Sequence, residues 1–381
     1  MNNKAIVGLL VVTNAVTLLI LLFVLFNGTE TMPVVSDSDI PAIDSTPPES
    51  TSAPETPSSS AKVAPVVDEA LKQMDTLYQQ TLTQHKSQLR QTPPYWGEYI
   101  AGYAPARDGK YQEAIDTINR RLQTNPNDLQ SLYTLAWTYA KMGEFTQSEQ
   151  TCNRCLQIDS TFARAAMLMA WTKLQQDDTE AAEAICQKAI QDNPEAPGPY
   201  YAMGRLYTIE GQNQQAIDAY LKAADLKPDE SEIYLHLGLA YEQDGQNIKA
   251  QEAFRKAIDL NEQSAEAYFF NGVILDKQGL HEQAASEYQK ALVRRTDFPE
   301  AQLFLGIDSL RKKDNQTALR YFSQALDMKP DYAEAQLGRG LVYLILDQPD
   351  KAASQATLLQ SLNPTLAEKL QTLIQTYNAN Q

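Results

Sequence analysis

The chain has 381 residues, too many for one ordinary compact core. Its 48 acidic residues against 32 basic ones give a formal net charge of -16, which argues against nucleic-acid backbones as partners. Three cysteines are too few for a disulfide framework.

In chain order, residues 1–4 form a short tip carrying Lys4, and residues 5–26 read AIVGLLVVTNAVTLLILLFVLF without a charge. As a helix this stretch would be about 33 Å long, enough to cross a bilayer's hydrocarbon core. No small-residue cleavage site follows it, so it is expected to remain as a single-pass transmembrane anchor. Lys4 precedes the span and no Lys or Arg follows until Lys62. The positive-inside rule then leaves the N-terminus in the cytoplasm and the bulk of the chain outside it. Residues 27–66, rich in Pro, Ser and Thr, predict a disordered linker, because they cannot bury enough apolar surface to offset the entropy of ordering.

From residue 67 to 92 the pattern turns helical. Val67, Leu71, Met74, Tyr78, Leu82, His85 and Leu89 recur at three- and four-residue steps, and Thr92-Pro93-Pro94 ends the segment. An amphipathic helix of this kind caps the domain that follows or pairs with a second copy of the chain, giving a homo-oligomer through residues 67–90.

The remainder is periodic. Prolines close the stretches TNP at 126, DNP at 194, LKP at 228, MKP at 330 and LNP at 364, at intervals that are all multiples of 34. Eight units of 34 residues run from Tyr95 to Leu366. Position 8 of each unit is Gly102, Ala136, Ala170, Gly204, Gly238, Gly272, Gly306 or Gly340, and position 20 is Ala except for Ser148. Small residues in both columns suit a close approach of two helices. Position 24 is large in the middle units, at Tyr220, Phe254, Tyr288 and Phe322, and position 15 is often Gly, where a tight turn ends the first helix.

A 34-residue helix–turn–helix unit of this composition resembles the tetratricopeptide repeat (TPR) family, most closely in YLHLGLAYEQDGQNIKAQEAFRKAIDLNE, Tyr234 to Glu262. The resemblance covers residues 95–366 and implies an all-α fold, a right-handed superhelical solenoid of TPR units. The first unit departs from the pattern, with Pro105 inside its first helix and Glu98 in place of an apolar residue. Residues 367–381 resemble the extra helix that caps such arrays.

The repeat also explains the one motif that resembles chemistry. Cys152 and Cys155 form C-x-x-C, but Cys152 and Cys186 occupy the core position 24, and Cys155 falls in a column of alanines. Core packing is therefore expected of all three. No phosphate loop, nucleophile elbow or zinc-protease motif is present, so neither an enzyme nor a cofactor is expected.

Function should then reside in the concave face, which the resemblance assigns mainly to positions 2, 5, 9, 12 and 13 of the first helices. Positions 5 and 9 hold Tyr133 and Trp137, Met167 and Trp171, Tyr201 and Arg205, Leu235 and Leu239, Phe269 and Val273. Aromatic residues and one Arg in the first half have the composition of a binding hot spot. The expected ligand is a peptide or helix of another protein, the competing expectation being that the 67–90 helix or a second copy covers the stripe. Co-chaperone TPR domains that grip an acidic C-terminus carry Lys and Asn at matching positions, which are missing here. The sequence thus predicts a membrane-anchored interaction scaffold, with its array in the periplasm at a bacterial inner membrane, serving assembly or maturation of an envelope complex. The alternatives are a cytoplasm-facing adaptor and an accessory subunit of an envelope enzyme.

Overall fold

The computed structural model describes residues 60–94 and 100–379. The predicted membrane span and most of the predicted linker lie outside the described residues. Among those described, no helix is long and apolar enough to cross a membrane. They form eighteen helices and no strand. Helix α1, Ser60–Arg90, begins seven residues before the start read from the apolar periodicity. A short α2, Tyr103–Arg107, and α3, Tyr111–Thr124, are the helices described in the first unit. Seven regular pairs follow: α4 and α5 (Leu129–Met142, Phe145–Ile158), α6 and α7 (Ala163–Gln175, Thr179–Asp192), α8 and α9 (Pro197–Ile209, Asn213–Leu226), α10 and α11 (Ser231–Gln243, Asn247–Leu260), α12 and α13 (Ala265–Lys277, His281–Arg294), α14 and α15 (Pro299–Arg311, Asn315–Met328), α16 and α17 (Ala333–Ile345, Pro349–Leu362). Helix α18, Pro364–Ala379, closes the array.

Every second helix starts at position 17 of its unit, so the period holds to the residue. The turn between paired helices needs a left-handed residue at position 15, which releases the chain from the first helix. Five units supply glycine there, as at Gly143 with φ 78°, and three supply Asp177, Lys313 or Asp347, all near φ 60°. In the first unit a helix of five residues follows Gly102. Pro105, which lacks an N–H, is the third of those five, in keeping with the irregularity expected of that unit.

Columns 8 and 24 meet face to face, and their volumes compensate. A Cβ on Gly238 would stand 2.5 Å from the Phe254 ring, and one on Gly204 would stand 2.6 Å from Tyr220. Where column 24 holds Cys152 or Cys186, column 8 holds Ala136 or Ala170 instead, and all four are buried. In the last unit Ala356 leaves room that Leu370 of α18 takes, its Cδ2 lying 2.5 Å from where a Gly340 Cβ would be. The array thus seals its own end, with Leu366, Leu370, Leu373 and Tyr377 buried.

Candidate functional site

Helix α1 lies along the array and shares its core. Met74, Leu77, Tyr78 and Leu82 are at most 4% exposed and belong to the same apolar cluster as Phe269, Val273, Leu303 and Leu341. The stripe read from periodicity is therefore a buried face, and its cover is the array's row of first helices. Contacts run in reverse order along the units. Asp75 reaches Arg311 of α14, with Arg311 Nη2 2.7 Å from Asp75 Oδ1. Tyr78 stacks on Phe304 at 4.1 Å between centroids and shares a 3.2 Å hydrogen bond with the Tyr288 hydroxyl. His85 packs among Phe269, Phe270 and Phe298. Lys86 pairs with Glu242 of α10, which Lys277 also contacts.

At Arg90 the helix ends and its carbonyl meets three donors: Trp171 Nε1 at 3.3 Å, Gln175 Nε2 at 3.3 Å, and Arg205 Nη2. The chain continues as an extended strap. Arg205 Nη1 donates to the Thr92 carbonyl at 3.2 Å, Trp137 Nε1 to that of Pro93 at 3.1 Å, and the Tyr133 hydroxyl to that of Pro94 at 3.3 Å. Pro93 and Pro94 have no N–H, so burying them orphans no donor. Met167, Trp171, Tyr201 and Arg205 line the seam around Pro94.

The residues singled out at positions 5 and 9 are thus brought together as one lining. Tyr133, Trp137, Met167, Trp171, Tyr201 and Arg205 are buried beneath or beside the strap, and Leu235, Leu239, Phe269 and Val273 are buried further along the same face. Tyr201 also donates to Glu232 at 2.8 Å. In this structure the occupant of the stripe is the chain itself. The periodicity of positions 5 and 9 did not point to Phe304 and Phe270 at position 6, or to Glu242, Asp276, Lys277 and Arg311 at positions 12 and 13. Complementary charge was the available signal, since Asp75 and Lys86 lie on the segment that meets them.

Burial governs the electrostatics here. His85 is 5% exposed, and neither ring nitrogen has a hydrogen-bond partner. Glu300 Oε1, at 3.8 Å from Nδ1, stands beyond hydrogen-bond reach. Burial, with the Arg295 guanidinium as a lesser cause, pushes the His85 pKa down to about 3. Burial also disfavours the Lys86 ammonium, which Glu242 offsets only in part. For Glu242, burial alone would raise the carboxyl pKa, but Lys86 and Lys277 outweigh it and hold the group ionised. His236 is pushed well below the usual range by burial, then by Arg205 and Arg90.

The cysteines sit where their columns place them. Cys152, Cys155 and Cys186 are free and at most 2% exposed. Burial raises all three thiols, Cys155 and Cys186 to about 12, so little nucleophilic thiolate forms at neutral pH. Among the described residues, no group of three or more His, Cys, Asp or Glu is placed to hold a metal.

Profiles of the tetratricopeptide repeat match residues 106–172, 235–300 and 305–365, and a TPR repeat profile matches 204–245. The chain belongs to the tetratricopeptide repeat superfamily. TPR proteins of known structure share its fold. A chain of the APC/C hetero-tetramer Cut9–Hcn1 aligns at 19% identity with a TM-score of 0.56, covering 69% of this chain and 52% of that one. The present chain therefore spans about half of that relative. PilF of Pseudomonas aeruginosa aligns at 18% identity and TM-score 0.51, covering 56% of this chain and 98% of PilF. PilW, described as a widely conserved type IV pilus biogenesis factor, aligns at 20% and 0.50 with the same coverages. Identities this low establish shared fold alone. No curated protein matches the chain by sequence. TPR arrays bind other proteins, and an interaction scaffold is the function that this family membership supports.

Proposed function

We propose that this TPR protein is a membrane-tethered scaffold that holds segments of other proteins during assembly or maturation of a bacterial cell-envelope complex. The observation that carries the reading is the groove itself. It takes a helix and a following extended strap against seven successive units, and secures both by side-chain packing and by hydrogen bonds to main chain. A groove built this way suits helical or extended segments of a partner. The uncharged stretch 5–26, with Lys4 before it, supports a single-pass anchor in the inner membrane and an array in the periplasm. PilW shows that the fold occurs in a type IV pilus biogenesis factor; that activity is its own. The test joins two reporters to Gln381, one active only in the periplasm and one only in the cytoplasm. Periplasmic activity with membrane fractionation is expected. Cytoplasmic activity alone would favour the cytoplasm-facing adaptor and overturn the envelope role.

A further inference from the structure

The occupant of the groove is imperfectly matched to it at His85 and Gln73. Both His85 nitrogens and Gln73 Oε1 are buried without hydrogen-bond partners, on a helix that otherwise packs closely. Leaving such groups unpaired weakens docking, whereas an apolar residue of similar size in the same place would not. Three phenylalanine rings wall His85, with Glu300 Oε1 3.8 Å from Nδ1 and the Arg295 guanidinium nearby, and the rings suit a hydrocarbon side chain. The flanking contacts are well satisfied: Asp75 with Arg311, Tyr78 on Phe304, Lys86 with Glu242. The groove thus specifies a helix almost like α1, and α1 itself falls short at His85, near its C-terminal end.

We propose that α1 is a competitor in cis for a groove whose ligand in trans is an amphipathic helix of the same register. That partner helix runs against the order of the units. It is apolar where α1 has Met74, Tyr78, Leu82 and Leu89, and apolar also where α1 has His85. It carries an acid opposite Arg311 and a base opposite Glu242. The proposal rests on the scaffold reading and names its partner by chemistry; topology does not enter its test, so the two fail separately.

The test uses the full chain in detergent and fluorescent peptides of residues 69–94, one with the native sequence and one with His85→Leu, read by anisotropy. The His85→Leu peptide should bind at least tenfold more tightly than the native one, and adding Lys86→Glu to it should abolish the gain. In the full chain, Tyr78→Asp should release α1, keep the helical circular-dichroism signal of the array and raise capture of the His85→Leu peptide at least tenfold. His85→Leu in the full chain should do the reverse, raising the melting temperature and reducing capture. Collapse of the array in Tyr78→Asp would make α1 a fixed structural element and overturn the proposal, as would an intact Tyr78→Asp array with no gain in capture. A native chain that dimerises, with peptide failing to reverse it, would assign the groove to a second copy and overturn the proposal equally.

Discussion

In the second, third and fourth units the groove holds backbone; in the fifth to eighth it holds side chains. Tyr133, Trp137, Trp171 and Arg205 present polar tips to the carbonyls of Arg90, Thr92, Pro93 and Pro94. Phe269, Phe270, Phe298 and Phe304 instead surround the Tyr78 and His85 rings. Main-chain carbonyls are the same in every residue, so the first half tolerates change at the exposed Gln91 and Thr92, though not at the buried Pro93 and Pro94. Ring packing depends on shape, so the second half selects. The interiors of the units divide along nearly the same line. The second and third units pair Ala with Cys at positions 8 and 24, and the fourth to seventh pair Gly with Tyr or Phe.

The largest expected effect breaks the side-chain half. Tyr78→Ala removes a buried ring stacked on Phe304, at a cost of about 3–5 kcal/mol. Urea denaturation should show that loss, together with faster hydrogen exchange of the α1 amides. A loss below about 1 kcal/mol would mean that α1 is not held by ring packing.

Next in size is the Gly–aromatic pairing. Gly238→Ala places a Cβ 2.5 Å from Phe254 and should cost about 1–3 kcal/mol by overpacking. Combining it with Phe254→Cys copies the Ala136–Cys152 pair of the second unit. The double variant should be more stable than the sum of the single effects, a coupling that a double-mutant cycle reads directly. Simple additivity would show that the columns do not compensate.

A third effect comes with pH. Burial pushes the folded His85 imidazole down to about 3, against an ordinary value of 6.5. Between those values the unfolded chain binds a proton that the folded chain does not. Stability is therefore full above pH 6.5 and falls as pH drops toward 3, by at most about 1.4 kcal/mol per pH unit for this group. His236 acts in the same direction. The profile of His85→Leu between pH 7 and 5 should accordingly flatten by one proton's slope and keep the remainder. An unchanged slope would show that His85 is solvated in solution.

The smallest effect tests the backbone half. Trp171→Phe keeps an aromatic ring and removes the donor to the Arg90 carbonyl, which also accepts from Gln175 and Arg205. The expected cost is about 1 kcal/mol. Replacing Gln91 or Thr92 with Ala should change stability by less than about 0.5 kcal/mol, since both residues are exposed and the groove bonds the Thr92 carbonyl, not its side chain. A larger loss at either position would show that the strap is read by sequence after all.

Much of the array was legible one unit at a time. The period, the left-handed turn at position 15, the small columns 8 and 20 and the core placement of Cys152, Cys155 and Cys186 all follow from local rules that repeat every 34 residues. The stripe from Leu71 to Leu89 was equally plain, because an amphipathic period needs only one face to be buried. What covers that face was not legible. Apolar burial is non-directional, so a stripe states that it has a partner without naming one. The choice among the chain's own groove, a second copy and another protein depends on pairs more than a hundred residues apart, such as Asp75 with Arg311 and Lys86 with Glu242. Those pairs, with the Arg90, Thr92, Pro93 and Pro94 carbonyls, set the reversed direction of α1 along the units. The sequence by itself determined the repeat and its grooved face, because spacing alone dictates them. Only the tertiary structure decided what lies in the groove, because charge and ring complementarity act between residues that spacing does not connect.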